Sequence, residues 1–204
     1  GLCNGYQANI IPDIDDNPLL EETWIFHDTT YEKPFKEHFP RAKESSLNQE
    51  QPTRRLGGFQ SYIRGLLEGI RVYHFDDASI QSPIRRPAPV GDDLSLHSDA
   101  ANLAPYLMKL RDQDSEAYAS IQKSIRSVAP FFKEFVLVPE SNGNVRLRWK
   151  QVGSDEVFMP SEWSDGTLRF ICLTTLLLSP DRPRLIVLDE PELGLHPAAI
   201  HQLG

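Results

Sequence analysis

The chain has 204 residues, enough for one domain, or one domain with a small lobe, built around a proper core. Acidic residues outnumber basic ones 29 to 21, and the net charge of −8 excludes a bulk polyanion binder, because phosphate contacts need a surplus of Lys and Arg. No apolar stretch reaches the ~20 residues that span a bilayer and no signal peptide is visible, so neither a membrane partner nor secretion is expected.

Two short runs near the N-terminus, Tyr6–Ile11 and Thr23–Phe26, read as strands between Asp-, Asn- and Pro-rich punctuation. Asp13, Asp15 and Asp16 resemble half of a calcium loop, but the required Gly and the later bidentate Glu are missing, so a solvated turn is expected. Residues 31–55 are polar, carry prolines at 34, 40 and 52, and read as loop. Helical spacing begins at Ser61 and runs through Tyr62, Ile63, Leu66, Leu67 and Ile70. Arg71–Phe75 reads as a strand ending on Asp76–Asp77. Ser82–Pro89, with its prolines, reads as extended linker. A helix is predicted after Ser98 through Leu103, Leu107 and Leu110, with Pro105 tolerated in the first turns. A second starts near Asp114 or Ser115, buries Tyr118, Ile121, Ile125 and Val128, and stops at Pro130. A hairpin follows, with arms 134–138 and 145–149 around Asn142–Gly143, the dipeptide whose positive φ angles favour a tight turn. In coarse terms residues 1–60 are a β-rich portion with a polar loop. Residues 61–133 carry a strand and a helical insert, and 134–204 carry the hairpin and the chemistry.

Of the two cysteines, Cys3 and Cys172, the second lies in an apolar run and is expected to be a buried core thiol, which suits a reducing cytoplasm. No Cys/His spacing suits a metal. His74 with Asp76, and His27 with Asp28, are pairs lacking the third ligand that zinc needs, and are read as structural. Arg54–Arg55, Arg85–Arg86 and Arg146 with Arg148 are local basic spots, read as solvated surface rather than as contacts to DNA phosphates.

The last third carries the chemistry. Leu185–Leu188 is an apolar run ending in Asp189–Glu190, the pattern of a central strand of a parallel sheet buried on both faces. In such sheets ligands bind beyond the carboxyl ends of the strands, where one carboxylate can hold Mg²⁺ and the other can orient an attacking water. Upstream, Ser164-Asp165-Gly166-Thr167 opens a strongly apolar helix over Leu168–Leu178. Its free backbone N–H groups make the entrance a candidate anion site, although a plain helix cap would use the same residues. Pro191 to Pro197 then forms a Gly/His/Pro turn into another helix.

The order of these features resembles that of ABC-type ATPases. Trp163–Thr167 is similar to the ABC signature in its LSDGT form, with Trp163 where Leu is usual. Residues 185–190 resemble a Walker B strand, and Glu192–Pro197 resembles the D-loop of RecF/SMC-like ATPases. Val72–Asp77 and Asn102–Ala104 resemble the interior of the same bacterial family. The resemblance covers roughly residues 60–204. It implies an α/β fold, part of a P-loop NTPase of the RecF/SMC-like ABC class with an antiparallel β portion and a helical insert. It further implies ATP and Mg²⁺ as cofactors and a homodimer closed around ATP. Asp189 would be the metal residue, and Glu190 the general base, grouped with His196 at the dimer seam as the catalytic pair. Ser164, Asp165, Gly166 and Thr167 would contact the ATP held by the other subunit. A DNA or nuclease partner, and a role in DNA repair, maintenance or defence, follow by analogy alone.

No GxxxxGK[ST] phosphate loop occurs in the 204 residues, and the chain opens on Gly1 and stops at Gly204 just after a helix should begin. It is therefore read as an excerpt of a longer protein, inactive by itself. The other readings are a non-hydrolysing protein-interaction module derived from such a head, and the ATPase subunit of a transporter, which the 31–55 segment and the LGLHP turn speak against.

Overall fold

Two antiparallel strands joined by a well-formed turn open the described part of the chain. A computed structural model describes residues 5–26, 35–48, 54–75, 79 and 81–203. Cys3, His27–Asp28, Asp76–Asp77 and Gly204 lie outside the described residues. Two compact units are found, residues 1–69 and 70–204.

In the first unit, β1 (Gly5–Pro12) and β2 (Pro18–Phe26) pair antiparallel from Gly5↔Ile25 to Pro12↔Pro18. The Asp13 carboxylate accepts from the amides of Asp15 and Asn17, at 2.8 and 2.9 Å, closing the turn. Asp16 takes a left-handed φ of 63° there, as Asp does with less strain than most residues. The solvated-turn reading of this acidic cluster therefore holds. The loop expected over 31–55 is corrected. It contains a strand, β3 (Phe35–Ala42), paired antiparallel on β2, and a 3-10 turn at Ser46–Asn48. Pro40 falls where the register shifts between Leu20 and Glu22, a bulge position at which its missing N–H is not needed. The helix expected from Ser61 starts earlier, as α1 (Arg54–Glu68). Trp24, Leu47 and Ile63 form the small core of this unit.

The second unit holds the larger core. β4 (Ile70–Tyr73) leads to a 3-10 turn at Pro83–Arg85 and to β5 (Ala88–Pro89). This corrects the linker expected over 82–89, in which Ser82, Ile84, Arg85 and Ala88 are buried. α2 (Leu103–Gln113) starts later than Ser98, because Ser98 gives its carbonyl to the His74 amide at 2.8 Å and Asn102 takes the cap position. Pro105 sits in its first turn, where a missing N–H costs nothing. α3 (Ser115–Val128) is capped by Asp114, which accepts from the Ala117 amide at 3.0 Å.

β6 (Phe132–Val136) and β8 (Arg148–Gln151) pair antiparallel, and β9 (Val157–Phe158) adds to β8. Between them β7 (Asn144–Val145) leaves the expected hairpin and pairs with β5 instead. Its turn has positive φ only at Gly143 (78°), and the Gly143 amide donates to Glu140 while that of Glu140 donates to Asn144. That is a three-residue loop ending in a left-handed glycine, not the two-residue turn the dipeptide suggests. Arg146 pairs with Glu140 at 3.4 Å and Arg148 donates to the Val138 carbonyl at 2.9 Å, so both serve the local fold.

α4 (Asp165–Leu178) runs through the core, with Leu168, Phe170, Ile171, Leu173 and Leu176 all buried. Each such side chain contributes about 1.5–3 kcal/mol relative to exposure. Cys172 on the same helix is a free, fully buried thiol, and burial pushes its pKa up. β10 (Leu185–Leu188) pairs parallel with β4, from Leu185↔Ile70 to Leu188↔Tyr73, and α5 (Pro197–Leu203) follows. The parallel pairing agrees with expectation, but burial on both faces does not. Ile186 and Leu188 pack on the core, whereas Leu185 and Val187 are 52% and 43% exposed. Among the described residues this sheet has two strands, and Val72, Leu185 and Val187 stay partly exposed. No helix among the described residues is long and apolar enough to cross a membrane.

Tyr118 gives this core a pH signature. Burial pushes its phenol from 10.0 up to about 12. An unfolded tyrosine ionises near 10, so the folded state holds the proton more tightly. Stability should be full below pH 10 and fall as pH rises through 12. Chemical denaturation between pH 9 and 12 is expected to show this loss, and Tyr118→Phe to reduce it.

Candidate functional site

Parallel pairing brings the ends of β4 and β10 side by side, which delivers their next residues, His74 and Asp189, to one edge. The His74 Nδ1 lies 3.9 Å from an Asp189 carboxylate oxygen, with both side chains largely exposed. Glu190 follows with φ 38°, a left-handed conformation that costs a non-glycine residue about 1–3 kcal/mol and that gathers at functional sites. Asp189 and Glu190 line a shallow, solvent-open hollow with Tyr73, Phe75, Leu188 and Pro191, and with Arg169 and Leu173 of α4. Burial raises the Tyr73 pKa, an effect partly offset by the Arg71 charge.

The entrance of α4 is built next to this hollow. Ser164 is its N-cap: the hydroxyl accepts from the Thr167 amide at 3.2 Å and lies 2.7 Å from the Thr167 hydroxyl. The cap reading of Ser164 therefore holds, and the residue stays exposed at the helix entrance. Trp163, the departure from Leu, packs inward. It is 3% exposed and stacks on Trp149, with ring centroids 4.2 Å apart at 26°.

Gly166 has a clear steric reason to be glycine. A Cβ added there would stand 2.2 Å from the Gly194 carbonyl oxygen, so the helix entrance lies directly on the 191–196 turn. Gly194 itself has φ 72°. His196, after it, accepts from the Ala198 amide at 3.2 Å through Nδ1 and stays exposed, capping α5. Ser164, Gly166 and His196 do not line the hollow of Asp189 and Glu190.

Two residues that sequence reasoning left out of the site belong beside it. Arg169, buried on α4, donates to the Phe75 carbonyl at 2.8 Å and to the Leu193 carbonyl. The signal was available, since a lone cation in an apolar helix must find partners. Arg85, read as a basic surface spot, is buried instead, and its guanidinium meets Asp165 at 2.7 Å.

Two adjacent carboxylates at an open strand end suit Mg²⁺, a hard cation that takes one or two carboxylates, keeps several waters and shares substrate phosphates. Among the described residues no group of three or more His, Cys, Asp or Glu side chains forms a full metal cage.

A family profile described as "AAA domain, putative AbiEii toxin, Type IV TA system" matches residues 12–204. No curated protein and no solved structure matches the chain.

The Gly166 contact is directly testable. Gly166→Ala should lower unfolding free energy by about 1–3 kcal/mol, because the added carbon meets backbone that cannot swing away. Gly65→Ala, with open space around its helical position, should be neutral or stabilising by about 0.5–1 kcal/mol. Equal melting curves for Gly166→Ala and the parent would refute the close approach.

Proposed function

Since the chain belongs to this AAA-domain family, an α/β P-loop ATPase domain, we propose that it is part of an ATP-hydrolysing head of RecF/SMC-like ABC type. Two such heads close around ATP as a homodimer. The observation that carries this reading is the placement of Asp189 and Glu190. They stand exposed beyond the carboxyl end of a parallel strand and line a hollow shared with the signature helix α4.

Asp189 would hold Mg²⁺, through water. Bound there, the ion would neutralise charge on the phosphate oxygens of the subunit's own ATP. Glu190 accepts a proton from the water that attacks the γ-phosphorus, and ADP leaves. Ser164 and the Gly166 amide, with Asp165 and Thr167 in the same turn, meet the γ-phosphate held by the other subunit, where free N–H groups and the helix dipole favour an anion. His196 lies at the seam, next to the turn that supports Gly166. The two motifs thus act on different nucleotides, in keeping with their separation around the hollow. The reading extends to a cytoplasmic protein with a DNA or nuclease partner. The family's description names a toxin of a type IV TA system, which favours defence over repair or maintenance.

Glu190→Gln in the complete protein that contains this chain is the test. It should lower turnover by about 10²–10⁴-fold, the usual range for losing a general base, while ATP-bound dimers accumulate in sedimentation. Parent-like turnover would remove Glu190 from the mechanism. Absence of nucleotide binding in the parent would favour the non-hydrolysing interaction module.

A further inference from the structure

An aspartate in the first turn suits the helix, because its charge complements the dipole. It does not suit a site for a second anion. Asp165 puts a carboxylate among the N–H groups that, on the reading above, receive the partner's γ-phosphate, and like charges at such range oppose each other. The fold supplies a counter-charge from 80 residues away in sequence.

Arg85 ends the 3-10 turn at Pro83–Arg85, and its side chain is 5% exposed. The guanidinium donates through Nη2 to the Asp165 carboxylate at 2.7 Å and to the Trp163 carbonyl at 3.2 Å. It donates through Nη1 to the Pro160 carbonyl and through Nε to the Ser79 carbonyl at 3.1 Å. It therefore grips the backbone on the N-terminal side of Ser164 and the side chain on its C-terminal side. Asp165 stays 71% exposed, so its outer face still looks toward the helix entrance. A planar, permanently charged fork suits this task, since it reaches a carboxylate and carbonyls at once and cannot lose its proton.

We propose that Arg85 is a positioning residue for the signature. It holds the Trp163–Asp165 backbone and neutralises Asp165, so that the entrance of α4 can accept a phosphate from a second copy of this chain. The inference rests on the ATP-sandwich reading and adds a residue to it. It also explains how an Asp-bearing signature remains an anion site.

The experiment uses the complete protein carrying Glu190→Gln as parent, with ATP-dependent association measured by sedimentation and melting temperature as the control for folding. Adding Arg85→Gln should weaken association about tenfold or more, the scale of one lost charge pairing. Adding Asp165→Asn to that variant should recover about threefold or more of the lost association, the part owed to the unbalanced carboxylate, while the grip on the carbonyls stays lost. Arg85→Lys, which keeps the charge but not the fork, should weaken association by about threefold, less than Arg85→Gln does. Parent-like association of Arg85→Gln would overturn the proposal. So would a folded Arg85→Gln protein that Asp165→Asn fails to restore, because Arg85 would then be scaffold alone. If Arg85→Gln does not fold, Arg85→Lys carries the test, and a folded Arg85→Lys protein with parent-like association overturns it, because the fork's grip on the carbonyls would then be dispensable. A parent that shows no ATP-dependent association brings down the sandwich reading itself, an outcome distinct from failure of Arg85 alone.

Discussion

One buried guanidinium ties the parts of the site together. Arg169 lies in the second turn of α4 and donates to the Phe75 carbonyl, just past the end of β4, and to the Leu193 carbonyl in the turn after β10. A buried charge without partners costs several kcal/mol, so these carbonyls cannot be abandoned without penalty. The helix, the strand end and the turn must therefore keep their relative places. The approach of Gly166 to Gly194 follows from that constraint, and so does the hollow between α4 and the Asp189–Glu190 pair.

Around this clasp the core supplies rigidity. α4 is buried along most of its length, and α3 packs along it with Ile121 and Ile125 fully buried. Trp163 anchors the residue before the cap in an aromatic stack with Trp149, which in turn stacks on Phe158 of β9. Ser164 is thus an exposed residue on a fixed mount: a side chain in the core on one side, a buried arginine gripping both flanks. Precision of this kind suits the role proposed for it, meeting a phosphate on another molecule. By contrast, Asp189 and Glu190 stand at the end of a two-stranded sheet with an exposed apolar face, and Glu190 holds a left-handed φ. Strain of that kind gathers where a side chain's direction matters more than stability.

Much of this was legible before any coordinates. The start of α3 near Asp114, the placement of Pro105 in the first turn of α2 and the buried Cys172 all follow from local chemistry or from one apolar run. The parallel strand before Asp189 was legible as a short apolar run closed by carboxylates, although the same run wrongly suggested burial on both faces. What failed had a common cause. β3 was hidden because its proline and charges speak for loop, yet an edge strand with a bulge tolerates both. The 142–143 turn looked like a two-residue hairpin, but β7 found a better partner in β5 than in the chain leading out of β6. Arg85 looked solvated because a pair of arginines usually is.

The sequence by itself determined the order of the motifs, the capped apolar helix, the carboxylate pair and the family to which they point, because each depends on neighbours within a few positions. Only the tertiary structure decided that Gly166 lies against Gly194, that Arg169 joins α4 to two other backbones, and that Arg85 answers the charge of Asp165. The physical reason is range. A cap or an apolar run is satisfied locally, whereas a buried cation or a glycine without room for a methyl group is explained only by what the fold brings from far along the chain.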